Sequence, residues 1–278
     1  MTKYIFSLVF LCIAIKESNS QNTQQEVIGS KHSIQSKILN EERIYEISLP
    51  DSYYVKEASQ KKYPILVLLD GNVFFKSISG MVNYMSSDTY RSWKIPEMIV
   101  VAIHNVDRRR DYTPDKIITV RENNSGGGDN FLNFLEKELL PEIDSKYRTT
   151  TNRILFGHSL GGLLATHAYM KENSSFTSFL AIDPSFGTWD TETMDKKLNA
   201  MTENSFKRYI YIASANWGKR NINNRDRHVR FYESLNSKCK DKLPAKLEYF
   251  ENESHSSVPL IAFYNGITAI FEGYTNTR

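Results

Sequence analysis

The sequence predicts an α/β fold in which a mostly parallel central sheet carries helices on both faces. Short runs of consecutive apolar residues alternate with segments whose apolar residues repeat at helical spacing. Continuous apolar runs are typical of strands that are buried on both faces, and their alternation with helices favours parallel connections. The runs that predict strands are 63–69, 98–103, 153–156, 179–182, 209–213 and 246–250.

Two helical segments and one antiparallel pair complete the pattern. Apolar residues repeat at helical spacing over 131–140, and Pro141 stands near the end of that run. Residues 160–170, rich in leucine and small side chains, predict a second helix. Residues 34–49 contain two short alternations of apolar and polar side chains, which predict a hairpin-like antiparallel pair ahead of the parallel strands.

The N-terminus has the features of a secretory signal. Lys3 supplies a positive charge, residues 4–15 form an apolar stretch, and small residues follow at 18–20. The apolar stretch is too short to span a bilayer. We therefore expect a signal peptide over 1–20, a flexible segment over 21–32 and a single domain over 33–278, in a protein that is secreted or periplasmic after cleavage.

The charge, the apolar stretches and the cysteine content of the sequence limit the classes of partner and ligand that we expect. The formal net charge is +3, which gives no basic footprint for nucleic acid. No further apolar stretch is long enough to cross a membrane, so we expect no stable membrane insertion. After cleavage Cys239 is the remaining cysteine, and no paired Cys/His spacing predicts a metal site. We expect neither an intramolecular disulfide nor a metal.

The strongest chemical signal is a G-x-S-x-G sequence over 157–161, followed by a further glycine at 162. A predicted strand enters the motif and a predicted helix leaves it. In this context the serine lies on a sharp turn that raises its hydroxyl above the sheet, and the glycines permit close packing of strand and helix. Ser159 is therefore the predicted nucleophile.

A serine hydroxyl needs a base, and chain position selects His255. It follows the last predicted strand and precedes a new helical run, so it comes after the serine as the order Ser, acid, His requires. The other histidines lie before the serine, beside it, on the helix after it, or in the charged stretch around 228.

The acid is less clearly marked in the sequence. The loop after the strand at 209–213 contains Asp226, which we predict to orient the imidazole. Asp226 lies between two arginines, and a solvated charge cluster explains it equally well. Glu253 is a local alternative, and a Ser–His dyad without an acid is another.

Backbone amides are expected to bind the developing oxyanion. Leu160 begins the helix after the nucleophile, and helix N-termini present free N–H groups. The second donor is expected in the Asp-Gly-Asn loop after the strand at 63–69, where Gly71 allows close approach. We predict the amides of Asn72 and Leu160 as the pair.

Together these segments resemble the esterase D-like (enterochelin-esterase-like) family of α/β-hydrolases. That family includes siderophore, feruloyl and acetylxylan esterases, S-formylglutathione hydrolases and mycolyltransferases. The likeness rests on segments spread over nearly the whole mature chain: 68–72, 105–108, 111–114, 126–128 with 131–135, 157–162 and 254–259. The resemblance implies an α/β-hydrolase fold and acyl-ester hydrolysis without a metal or organic cofactor. It supports Ser159 and His255, and relatives that cleave siderophores can work with a dyad.

The sequence thus predicts a secreted serine esterase that acts through an acyl-enzyme. Its substrate is expected to be a small-molecule, polysaccharide or siderophore ester, and the sequence does not select among them. Two other classes stay open, an acyltransferase on the same fold and a non-catalytic binding protein that retained it.

Overall fold

A computed structural model of the chain describes residues 26–87, 93–117, 124–189, 191–218, 222–239 and 244–274. The signal peptide predicted for 1–20 lies outside these ranges. Within them, no helix combines the length and the apolar character needed to cross a bilayer.

The strands form one sheet. They are β1 (Ser30–Ser36), β2 (Glu41–Ser48), β3 (Tyr63–Leu68), β4 (Ile99–Ile103), β5 (Thr149–His158), β6 (Ser178–Ile182), β7 (Tyr209–Ala215) and β8 (Ala245–Phe250). Their order across the sheet is β1-β2-β4-β3-β5-β6-β7-β8. β1 pairs antiparallel with β2, and β2 pairs antiparallel with β4. All other neighbours are parallel, so the predicted mostly parallel sheet is confirmed, and the antiparallel pair lies at one of its edges.

Helices cover both faces of this sheet, as predicted. They are α1 (Gly71–Ser86), α2 (Arg108–Tyr112), α3 (Gly128–Phe134), α4 (Leu140–Lys146), α5 (Leu160–Met170), α6 (Thr191–Asn199), α7 (Ile222–Lys238) and α8 (Val258–Ile270). One core lies between the sheet and α1 with α8, and includes Phe74 and Phe263. The other lies under α3, α4, α5 and α7, and includes Phe134, Leu164 and Phe231.

The helix predicted around 131–140 is longer than expected. Pro141 does not end it, because a π-helical segment, Leu135–Leu139, joins α3 to α4. In that segment the amide of Leu140 bonds to the carbonyl of Leu135, five residues back. Proline has no N–H to donate. The wider turn just before Pro141 keeps the helical path continuous through a residue that disrupts the α-helical pattern.

Part of the segment expected to be flexible over 21–32 is a strand. Residues 30–32 belong to β1, where Ser30 pairs with Ile47 and His32 with Tyr45. The imidazole of His32 stacks on the Tyr45 ring, with centroids 5.3 Å apart. The polar composition of this stretch suits an edge strand whose outer side faces solvent, and that composition concealed the strand in the sequence.

Candidate active site

Ser159 lies at the sharp turn between β5 and α5. Its backbone has φ 60° and ψ −118°, a conformation that L-residues rarely adopt. Such a conformation costs about 1–3 kcal/mol and persists where the surroundings enforce it. Here the Ser159 amide donates to the Ile182 carbonyl at 3.0 Å, and its carbonyl accepts from the Ser185 amide at 3.1 Å. These two bonds tie the turn to the end of β6.

The glycines around Ser159 do not contribute equally. A Cβ on Gly157 would lie 2.1 Å from the carbonyl oxygen of Gly161, so no side chain fits there. A Cβ on Gly161 would meet its nearest atoms at 3.5 Å, which is ordinary contact. On Gly162 it would come within 3.0 Å of the Ile182 carbonyl. Gly157 is therefore the position where the turn strictly excludes a side chain.

The structure brings His255 to Ser159 although 96 residues separate them. His255 lies in the turn between β8 and α8, and its Nε2 is 3.0 Å from the Ser159 Oγ. Its backbone carbonyl accepts a hydrogen bond from the Nε2 of His158 at 2.9 Å. A hydroxyl and an imidazole nitrogen at this distance are placed for proton transfer.

The carboxylate at the other side of the imidazole is Asp183, not Asp226. Asp183 Oδ2 lies 2.6 Å from His255 Nδ1, and its side chain is 1% exposed. Asp226 is an exposed residue of α7. The prediction of Asp226 is therefore wrong, and an acid-free dyad does not describe this site. Glu253 contributes a backbone carbonyl, which accepts from the Asn216 amide at 2.8 Å.

The sequence-based prediction missed Asp183 because it placed the acid in the loop after β7. Asp183 follows β6 directly, and β6, β7 and β8 are adjacent and parallel, so their carboxyl ends converge. The sequence did contain a signal, since Asp183 and Pro184 end an apolar strand abruptly. Asp183 also has a positive φ of 40°, so the backbone leaves the extended conformation of β6 at this residue.

Several donors stabilise the ionised form of Asp183. Burial alone would raise its pKa. Hydrogen bonds from His255, from the Ala215 amide at 3.0 Å and from the Trp217 Nε1 at 2.7 Å outweigh that effect, and the pKa of this carboxyl is lowered overall. Asp183 is thus held as an anion that orients the imidazole and can stabilise an imidazolium.

Two rings flank the imidazole of His255. The His158 ring lies with its centroid 4.4 Å away, and the Trp217 ring lies at the same distance. Burial, and secondarily the nearby His255, lower the pKa of His158 to about 4. His158 is therefore neutral near pH 7 and adds no positive charge beside the base.

The two predicted amide donors stand at neighbouring strand ends. Leu160 is the first residue of α5, Asn72 is the second residue of α1, and β3 and β5 are adjacent. The first turn of α5 packs against the end of β3, because a Cβ on Gly161 would lie 3.5 Å from both Leu69 and Asp70. Amides in the first turn of a helix have no partner within that helix, so both are available to an anion.

An ion pair between the half-buried Arg108 and the buried Asp70 connects these two helix starts. Arg108 donates to both carboxylate oxygens of Asp70, at 2.6 and 2.9 Å, and also to the His158 carbonyl at 3.1 Å. Asn105 donates to Asp70 at 2.6 Å. Asp70 is the left-handed residue that precedes α1, with φ 55°. Arg108 therefore fixes the Asn72 loop relative to the turn that holds Ser159.

The loop after β6 makes a further contact with the nucleophile. Ser185 Oγ lies 3.1 Å from Ser159 Oγ. Behind this loop, the fully buried His228 bonds to the Pro184 carbonyl at 2.7 Å and to Ser214 Oγ at 3.0 Å. Burial lowers the pKa of His228. Neutral His228 therefore anchors the segment that carries Asp183 and Ser185.

Comparisons with known proteins agree with this geometry. The sequence profile of the "Putative esterase" family matches residues 36–241, more than half of the chain. The ferri-bacillibactin esterase BesA of Bacillus subtilis is 26% identical over 216 residues, which cover 70% of this chain and 74% of BesA. The siderophore triacetylfusarinine C esterase of Aspergillus fumigatus is 23% identical over 265 residues, covering 83% of this chain and 89% of that protein.

A solved structure gives the same result. The IroE-like serine hydrolase from Shewanella oneidensis is similar with a TM-score of 0.77 and 30% identity, over 90% of this chain and 82% of that one. The sheet order, the G-x-S-x-G turn and the family match describe one kind of protein. The chain belongs to the "Putative esterase" family, whose members are α/β-hydrolase-fold serine hydrolases that act on ester bonds.

Proposed function

We propose that this esterase hydrolyses its substrate through an acyl-enzyme on Ser159, with His255 as general base and Asp183 as the orienting acid. The observation that carries the proposal is the continuous series of hydrogen bonds from Ser159 Oγ to His255 and from His255 to Asp183, at 3.0 and 2.6 Å. A nucleophile, a base and an orienting group in such a series are the requirement for serine catalysis.

In the first half of the reaction, Ser159 Oγ attacks the ester carbonyl carbon while His255 Nε2 takes the hydroxyl proton. The carbonyl π electrons move to oxygen, and the oxyanion accepts hydrogen bonds from the amides of Leu160 and Asn72. The tetrahedral intermediate collapses, the bond to the alcohol oxygen breaks, and His255 gives its proton to the leaving alcohol. Asp183 keeps its charge throughout and stabilises the imidazolium.

In the second half, water replaces the alcohol. His255 Nε2 takes a proton from water, the hydroxide adds to the acyl carbon, and a second oxyanion forms at the same amides. Collapse releases the carboxylic acid, and the proton on His255 returns to Ser159 Oγ. The substrate is cleaved into an acid and an alcohol, and the protein is regenerated.

The substrate class is proposed from the relatives. The names of BesA, of the triacetylfusarinine C esterase and of an apo-salmochelin esterase of Escherichia coli all describe siderophore esters. We infer that this chain also cleaves a siderophore ester. We also infer that residues 1–20 direct export, so that the protein meets its substrate outside the cytoplasm.

A matched set of substrates and variants tests the proposal. The mature protein is assayed on p-nitrophenyl acetate, on a feruloyl ester, on an acetylated sugar and on a tri-ester siderophore, beside Ser159→Ala. We expect the highest kcat/KM on the siderophore and a loss of several orders of magnitude in Ser159→Ala, because the catalytic groups act as a unit. The control is Ser145→Ala, which alters an exposed serine of α4.

The possible outcomes distinguish failure of the proposed mechanism from failure of the proposed substrate class. Full activity in Ser159→Ala would refute the mechanism, whereas a preference for the feruloyl or sugar ester would refute only the substrate class. Export is tested on protein expressed with its own N-terminus. Mature protein that begins at Gln21 in the extracytoplasmic fraction is expected, and unprocessed protein in the cytosol would contradict export.

A further inference from the structure

Trp217 makes two contacts with the catalytic groups that the proposed mechanism does not use. The residue lies just after β7, at the edge of the site, and is half-buried. Its indole ring lies over the imidazole of His255, with centroids 4.4 Å apart and planes inclined by 40°. Its Nε1 donates to Asp183 Oδ2 at 2.7 Å.

The acceptor of that indole hydrogen bond is the same oxygen that bonds to His255. Asp183 Oδ2 lies 2.6 Å from His255 Nδ1, while the other oxygen accepts from the Ala215 amide at 3.0 Å. One side chain therefore touches the face of the base and holds the oxygen that orients it. Rotation of either the imidazole or the carboxylate would break a contact with Trp217.

We propose that Trp217 is a positioning residue of this esterase, which fixes the ring of His255 against Asp183 and stabilises the imidazolium formed during turnover through its π face. This inference rests on the proposed roles of Ser159, His255 and Asp183. Electron-rich aromatic faces attract cations within about 6 Å, and tryptophan does so most strongly.

The groups around His255 include one anion and two histidines with lowered pKa values. Asp183 at the end of β6 is the anion that contacts the ring, and the His158 ring of β5 lies with its centroid 4.4 Å from it. His228 of α7 lies behind the Asp183 loop and interacts electrostatically with His255. Both neighbouring histidines have lowered pKa values, so neither competes for the proton that His255 receives from Ser159.

Two substitutions divide the contributions of Trp217. Trp217→Phe retains an aromatic face and loses the N–H donor, whereas Trp217→Leu loses both. The control is Trp93→Leu, which removes another half-buried tryptophan. Trp93 lies near the C-terminal end of α1, where the Lys94 amide donates to the Met85 carbonyl at 2.9 Å, whereas Asn72 lies at the N-terminal end of that helix.

The expected results concern kcat and the pH profile of kcat/KM. A purely structural role of Trp217 would not shift the acid limb of that profile. Trp217→Leu lowers kcat by about tenfold or more with KM within about twofold, as loss of a hydrogen bond and a π contact predicts. The acid limb of its kcat/KM profile moves down by about half a pH unit, because the imidazolium loses the π face. Trp217→Phe lowers kcat by about threefold and leaves the acid limb in place.

A second measurement does not depend on turnover. The titration midpoint of the His255 ring, followed by ¹⁵N NMR in the resting protein, is expected to fall in Trp217→Leu and to stay unchanged in Trp217→Phe and Trp93→Leu. Identical midpoints in Trp217→Leu and the parent would overturn the inference, as would a change confined to KM. Full activity in Ser159→Ala would instead show that the proposed function has failed.

Discussion

Replacement of Asp183 by asparagine tests the acid directly, because the amide has nearly the same shape and no charge. Donors converge on this carboxylate, His255 and Trp217 on Oδ2 and the Ala215 amide on Oδ1, at 2.6, 2.7 and 3.0 Å. An asparagine offers one oxygen and one NH2 group. In either orientation of the asparagine amide, its NH2 group faces an N–H donor that hydrogen-bonds to the carboxylate in the parent protein.

The structure sets the size of the effect. If the NH2 group faces His255, the imidazole accepts its hydrogen bond through an unprotonated Nδ1. The ring proton then lies on Nε2, which faces Ser159 and cannot take the hydroxyl proton. Catalytic triads with the wrong tautomer lose about 10⁴-fold in kcat, close to 5.5 kcal/mol. If the NH2 faces the Ala215 amide instead, a buried donor is left unsatisfied at a cost of about 1–3 kcal/mol in stability.

The assay is kcat/KM on p-nitrophenyl acetate, with the thermal midpoint measured in parallel. We expect Asp183→Asn to lose about 10³–10⁴-fold in activity and to remain folded. The matched control is Asp226→Asn, on the exposed face of α7, which should stay within about twofold of the parent. Comparable activity in Asp183→Asn and the parent, or a large loss in Asp226→Asn, would refute the assignment.

Three further substitutions alter contacts around Ser159 and are expected to affect folding, stability and its pH dependence. Gly157→Ala should abolish soluble, active protein in expression and activity assays, because its Cβ would lie 2.1 Å from the Gly161 carbonyl oxygen; active protein with a normal thermal midpoint would contradict this. Arg108→Met should reduce the free energy of unfolding in urea by about 2 kcal/mol, since it leaves the buried Asp70 carboxylate without its cation; Lys56→Met, at an exposed lysine, is the control, and equal losses would argue against the pairing. His158→Phe should make the free energy of unfolding fall less steeply as the pH drops below 6.5. The pKa of His158 is about 4 in the folded protein and ordinarily 6.5, so between these values the unfolded chain binds a proton that the folded protein does not, and the parent loses stability. Equal pH slopes for parent and variant in urea titrations would contradict this prediction.

Much of the fold was predictable because it depends on local patterns. The parallel strands are buried on both faces and read as continuous apolar runs. The turn at Ser159 was recognisable because its steric demand at Gly157 is local. His255 could be found from chain order alone. These signals extend over a few residues and do not require knowledge of which strand ends meet.

The parts that were not predictable depend on tertiary neighbours. Asp183 and His255 are 72 residues apart, and the choice between the ends of β6 and β7 as the position of the acid is decided by how the loops pack. Asp226, the acid expected from the loop after β7, lies on a regular helix instead. The roles of Trp217 and Arg108 are defined by partners at the ends of four different strands, which no local pattern records.

The central claim, that Ser159 is activated by His255 and Asp183, is tested most directly by covalent labelling with a fluorophosphonate and peptide mapping by mass spectrometry. We expect one label per chain on Ser159, with a labelling rate lower by about 10³-fold or more in Asp183→Asn and unchanged in Asp226→Asn. A label on Ser185, whose Oγ is 3.1 Å from that of Ser159, or no labelling of the parent protein, would contradict it.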